Sequence, residues 1–210
     1  MVAPVSRVWL PPDTQAIALT QTLAGAGSLT LNGTLAQGGT VDFHGFARVV
    51  SLTSANNLSA VNFTVTGSVN GASVSETLAG PNNTTVETAN IFDEVTSVTS
   101  SNAANGISIG TGTTGHTGWI LTNTYAPFPS VGIQVITTGV ITWSFIATLQ
   151  DVSNKLPNAL SIFTPVAGLT NQNASAQGVY GNPFLYGAVE VTASGANGAL
   201  TAIFLRQGPA

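Results

Sequence analysis

Along much of this chain apolar and polar positions alternate with a period of two. The pattern is cleanest from Leu58 to Thr88, LSAVNFTVTGSVNGASVSETLAGPNNTTVET. Val61, Phe63 and Val65 alternate with Asn62, Thr64 and Thr66, the signature of a strand with one buried face. Asn70-Gly71 then offers two residues that tolerate positive φ, as a type I′ hairpin turn requires. Ser73–Leu78 returns as the second strand, Gly80-Pro81-Asn82-Asn83 breaks the pairing, and Thr84–Thr88 is expected to resume it.

The same grammar predicts strands at Gln15–Thr22, Ser28–Leu35, Thr40–Leu52, Ile91–Ser100 and Gly106–Ile109. Thr117–Thr124 and Ser130–Thr137 flank a turn at Tyr125–Pro129. In Val140–Gln150, Ile141, Trp143, Phe145, Ala147 and Leu149 share one face, while Ile146 adds apolar character to the other. That reads as a central strand, joined to the preceding one by Thr138-Gly139. Tyr186–Ala193 and Ala199–Arg206 are expected to close the chain as a hairpin. Between them and Val140–Gln150, Asn154–Pro183 is irregular and reads as a long surface excursion used for linkage or contact.

No stretch carries helical periodicity with caps; at most one turn is expected near Asp151–Asn158. Many short strands separated by turn residues predict an all-β fold, an antiparallel β-sandwich or jelly-roll-like body over residues 14–210. An alternative sub-boundary falls near 152–165. Residues 1–13, MVAPVSRVWLPPD, carry Pro4, Pro11 and Pro12 and read as an extended N-terminal arm without regular structure. Its Val8, Trp9 and Leu10 need an apolar surface, their own domain or a neighbouring subunit.

Composition narrows function by exclusion. Charged residues make up only 6% of the chain, against about 25% in an average soluble domain. Such a surface lacks the mixed charge that keeps free monomers apart, so the chain is expected to live within an assembly. Its four bases, Arg7, Arg48, Lys155 and Arg206, form no cluster in sequence, which argues against nucleic acid and anionic membrane as partners. The absence of cysteine removes disulfides and thiolate metal sites. Met1–Pro12 has neither a basic nor an apolar signal region, and assembly in a cytoplasm is the expectation.

Motifs that carry chemistry are weak here. Gly106–Gly110 fits G-x-S-x-G, with His116 and Asp151 as paper partners, but no helix can follow it. Gly110–Gly115 fits G-x-G-x-x-G without a βαβ unit or a following acid at the right distance. His44 and His116 are too few for zinc, and Asp93-Glu94 on one strand would point to opposite faces. No catalytic residue, cofactor or metal site is expected, and the chain does not read as an enzyme. Trp119, Tyr125, Phe128, Tyr180, Phe184 and Tyr186 are candidate aromatic platforms for glycan binding. Val8, Trp9, Leu10, Tyr125, Phe128, Tyr180 and Phe184 are the candidate interface residues.

Several segments resemble virion structural proteins of tailed bacteriophages. They are Leu58–Gly67, Asn70-Gly71, Glu76–Asn82, Val95–Thr99, Ile107–Thr111 and the closing Leu200–Gly208. The resemblance implies a β-sandwich component of the particle, assembled in the host cytoplasm, with other virion proteins and further copies of itself as partners. A capsid cement or decoration protein is the first expectation, and a neck or tail component the second. A receptor- or glycan-binding module on a fibre or cell surface is the alternative from a different class.

Overall fold

A computed structural model describes residues 4–122, 131–181 and 184–206. The fold is all-β, built from antiparallel sheets. In chain order the strands begin with Val5–Trp9 (β1), Ala18–Leu23 (β2), Gly27–Ser28 (β3), Ala36–Gln37 (β4), Thr40–Asp42 (β5) and Phe46–Asn57 (β6). Asn62–Val69 (β7), Ala72–Ala79 (β8), Asn82–Phe92 (β9), Glu94–Ser100 (β10), Ala104–Thr117 (β11) and Ile120–Leu121 (β12) follow. Val131–Thr138 (β13), Ile141–Thr148 (β14), Ala176–Tyr180 (β15), Tyr186–Ser194 (β16) and Ala199–Arg206 (β17) complete the set. Among the described residues the helical segments are two 3-10 turns, Pro157–Ala159 and Ala167–Leu169.

The chain divides into two compact units, Pro12–Gly112 and a second made of Met1–Pro11 with Thr113–Ala210. The division near 152–165 that the sequence offered is not where the chain parts. Two features conceal the real boundary. β1 pairs with β17 from Val5↔Phe204 to Trp9↔Leu200, which ties the N-terminus to the C-terminal half. And β11 continues unbroken through Gly112-Thr113, beyond the strand Gly106–Ile109 that the alternation predicts.

In the Pro12–Gly112 unit, one sheet runs β4-β5-β10-β7-β8 with β3 on β10, and the other β2-β11-β6-β9. The β7–β8 hairpin is as expected: the strands pair from Asn62↔Ala79 to Val69↔Ala72, with Asn70 and Gly71 at φ 53° and 81°. β9, by contrast, leaves the hairpin and pairs with β6 in the other sheet. The Gly80 amide donates to the Val61 carbonyl at 2.8 Å and the Leu58 amide to the Pro81 carbonyl at 2.7 Å, turning the chain away. Phe63, Val65, Val95, Val98, Phe92, Ile107 and Ile109 are fully buried and supply the core. Burial of side chains this size contributes about 1.5–3 kcal/mol each.

In the second unit, one sheet runs β1-β17-β13-β15. In the other, β16 is flanked by β14 on one side and by β12 and the end of β11 on the other. Phe145 of β14 meets Phe204 of β17 at a ring separation of 6.4 Å, so the two sheets share one core with Trp9 and Trp143. The expected C-terminal hairpin does not form. β16 pairs with β14, whereas β17 pairs with β13 and β1, so the Gly195–Gly198 turn crosses between sheets. Thr138-Gly139 makes a second crossing, since β13 and β14 belong to different sheets.

Two further readings change. The N-terminal segment is a strand and not an irregular arm: its prolines bracket Val5–Trp9 without entering it, and Trp9 is 1% exposed. β14 owes its apolar character on both faces to the 150–175 excursion and not to a central place in a sheet. Isolated bridges join Trp143 to Gln172 and Ala147 to Phe163 along its free side. Ser144 Oγ accepts the Asn171 amide at 2.9 Å, and Trp143 Nε1 donates to the Ala174 carbonyl at 3.2 Å.

Candidate interaction face

The residues that match catalytic motifs have structural roles. Ser108 lies inside β11, buried, and its hydroxyl donates to the Thr53 carbonyl at 3.4 Å. There is no strand-to-helix elbow to expose it. Gly110 and Gly112 serve close packing: a Cβ on Gly110 would stand 1.9 Å from the Asp13 carbonyl oxygen, and one on Gly112 2.4 Å from Val49 Cγ2. His116 is buried with Nδ1 2.7 Å from the Thr117 carbonyl, and its ring leans on Trp119 at 5.2 Å. The exposed Asp151 carboxylate accepts the Ser153 amide at 3.0 Å, which lowers its pKa. Tyr186 donates to Asp151 at 3.4 Å, and its own pKa is raised by partial desolvation and by that carboxylate.

Asp93 and Glu94 do not diverge as two residues of one strand would. Asp93 falls in the one-residue gap between β9 and β10, so both carboxylates reach the Ser68 hydroxyl, at 2.9 and 3.4 Å. Asp93 also accepts the Asn70 amide and so anchors the β7–β8 turn. Among the described residues no group of three His, Asp or Glu comes together to hold a metal ion. A buried Arg48 donates to the Gly112 carbonyl at 2.7 Å; desolvation pushes its pKa down to about 10 despite the attraction of Glu87.

The candidate interface residues separate into two groups. Trp9 and Phe184 are core, and Tyr180 is half-buried against the Phe184 ring at 5.4 Å. Val8 and Leu10 are exposed, 48% and 60%. Tyr125 and Phe128 lie outside the described residues. Alternation explains the split: on β1 Val5, Arg7 and Trp9 turn inward, leaving Ser6 and Val8 outside.

Val8 is one edge of a larger feature that sequence reading missed, the outer face of the β1-β17-β13-β15 sheet. Register aligns Val8, Thr201 and Ile136 in one row across it. The next row is Ser6, Ile203, Gln134 and Gln177, and the third sets Leu205, Gly132 and Val179 side by side. Ile136, Leu205 and Val179 are 45%, 54% and 72% exposed. Because Gly132 has no side chain, Leu205 and Val179 stand as walls of an open groove of about 600 Å³, with Pro4, Gln134, Gln177 and Ile203 around it. Among the described residues, none that lines the groove is charged. A signal was present in the sequence: Ile203, Leu205, Ile136 and Val179 occupy the off-phase positions of strands whose other face is already apolar.

Chemically this face offers dispersion contacts, amide hydrogen bonds from Gln134 and Gln177 and the hydroxyls of Ser6 and Thr201; among the described residues it carries no acid or base. No family model, no curated protein and no solved structure matches the chain.

Proposed function

We propose that the protein is a structural component of a virus particle, a capsid cement or decoration protein that stabilises the shell through contacts between subunits. The observation that carries this reading is the neutral apolar outer face of the β1-β17-β13-β15 sheet on a chain with 6% charged residues. Exposed apolar surface of this kind marks interaction sites, and a surface poor in charge has little to keep copies apart. The resemblance of Leu58–Asn82, Val95–Thr99 and Ile107–Thr111 to tailed-phage virion proteins supports the choice of a particle over other assemblies. The mechanism is adhesive. Many weak contacts are repeated by symmetry, and their sum exceeds any single one.

Aromatic platforms do not favour the glycan-binding alternative. Among the described aromatic side chains only Phe163 is exposed, and it is bridged to β14. The test is sedimentation of assembled particles from cells producing a tagged copy of the full chain. Co-sedimentation, with antibody label on the particle in electron micrographs, is the expected result. Recovery of the tagged chain entirely in the soluble fraction, while particles form normally, would overturn the reading.

A further inference from the structure

Among the described residues, β15 has one edge without a strand partner. β15 ends its sheet, pairing with β13 from Val131↔Tyr180 to Val135↔Ala176. Among the described residues, its backbone makes no other hydrogen bond. An extended strand presents outward-facing N–H and C=O groups that another extended backbone can satisfy.

Three other edges are guarded. β1 follows Pro4 and carries the inward-turned Arg7. The free side of β14 is closed by its bridges to Phe163 and Gln172. In the Pro12–Gly112 unit, β8 carries Glu76, whose carboxylate accepts the Ala89 and Asn90 amides at 2.8 and 2.7 Å. β15, Ala176-Gln177-Gly178-Val179-Tyr180, has no charge, no proline and no bulge. Natural sheets rarely leave such an edge open unless it is used.

We propose that β15 pairs antiparallel with β15 of a second copy of this chain, about a two-fold axis at Gly178. Charge complementarity selects the occupant. β15 itself holds no charged side chain, so a partner edge of ordinary composition, about a quarter charged, would set charge against it without a counter-charge. This chain is 6% charged and brings an identical neutral edge. Packing agrees. A two-fold at Gly178 sets glycine against glycine at the axis, Gln177 against Val179 on the outer face, and the large Tyr180 against the small Ala176 on the inner face. The interface is isologous, and it joins two four-stranded sheets into one continuous sheet.

The proposal rests on the assembly reading for the use of this face, but its test is separate. The full chain is followed by analytical ultracentrifugation across the micromolar range, with hydrogen exchange of the β15 amides in parallel. A reversible dimer is expected, with protection of Ala176–Tyr180 that rises with concentration. Val179→Lys places a charge beside the pairing edge and is expected to weaken the dimer at least about tenfold. Val140→Lys, at a 78% exposed residue outside the sheet, is expected to leave it unchanged. Equal melting temperatures for both variants and the parent chain, taken at a concentration where the parent is monomeric, check that neither unfolds the protein. A monomer at every concentration would overturn the pairing, as would a dimer indifferent to Val179→Lys with unprotected β15 amides. If that monomer still co-sediments with particles, the pairing fails while the assembly reading stands.

Discussion

Arg48 donates from Nη2 to the Gly112 carbonyl at 2.7 Å, so a guanidinium is held inside the Pro12–Gly112 unit. Glu87, which pairs with Ser51 three residues along β6 from Arg48, supplies the opposing charge. Removing one partner of a buried polar set costs more than the set contributes, because the remaining groups stay desolvated. Arg48→Ala is expected to destabilise the unit by about 3 kcal/mol, through the abandoned Gly112 carbonyl and Glu87 carboxylate and the cavity left behind. Glu87→Gln should cost about 1 kcal/mol, since it removes the counter-charge and keeps the shape. Urea unfolding of the three proteins checks the order; equal stability of all three would contradict it.

Glycines separate structure from surface. A Cβ on Gly110 would overlap the Asp13 carbonyl oxygen at 1.9 Å, whereas one on Gly132 meets its nearest neighbour, Leu205 Cβ, at 3.6 Å. Gly110→Ala must therefore push backbone aside and is expected to cost more than about 2 kcal/mol. Gly132→Ala should stay within about 0.5 kcal/mol of the parent. If Gly110 serves a phosphate-binding loop instead, its replacement would leave stability unchanged and abolish nucleotide binding. Thermal melts with and without ATP distinguish the two.

Deleting residues 1–12 removes a strand and not a loose arm. Trp9 is buried, and β1 forms a full edge of its sheet along Val5–Trp9. Loss of a buried tryptophan alone costs about 3–5 kcal/mol. The deletion is expected to lower the melting temperature sharply, by ten degrees or more on the scale of about 2–4 °C per kcal/mol for a chain of this size. A truncated protein that melts like the parent would contradict the β1 pairing.

Two carboxylates give opposite pH signatures. Partial burial raises the Glu190 pKa above 4.5, so in this region the folded state binds the proton more tightly than the unfolded chain does. Stability from this group therefore falls as pH rises from the ordinary carboxylate value through the raised one. Glu190→Gln is expected to flatten that fall and to stabilise the neutral-pH protein by less than about 1 kcal/mol, because Glu190 stands on the outer face. Asp151 has its pKa lowered by the Ser153 amide, so its contribution is present above 3.8 and is lost as pH falls through the folded value. Melting curves of Glu190→Gln and Asp151→Asn between about pH 3 and pH 8 should deviate from the parent in opposite senses. Parallel curves would refute the assignment.

Local pattern alone determined the fold class, the β7–β8 hairpin with its Asn70-Gly71 turn, and most strand positions. Each depends on alternation and turn chemistry that a few neighbouring residues decide. Which strands pair was a different matter. Thr84–Thr88 follows β8 in sequence and joins β6 in the other sheet, and β16 and β17 look like a hairpin while belonging to separate sheets. Apolar residues say that a face is buried and not what buries it, so pairing across sheets waits on the core as a whole. The same reason governs the candidate interface. The sequence marked Trp9 and Val8 alike as apolar residues near the N-terminus; pairing of β1 with β17 put Trp9 in the core and Val8 on the outer face. Gly132 became the floor of a groove only because register set it between Leu205 and Val179, residues that lie far apart in the chain and adjacent in the sheet.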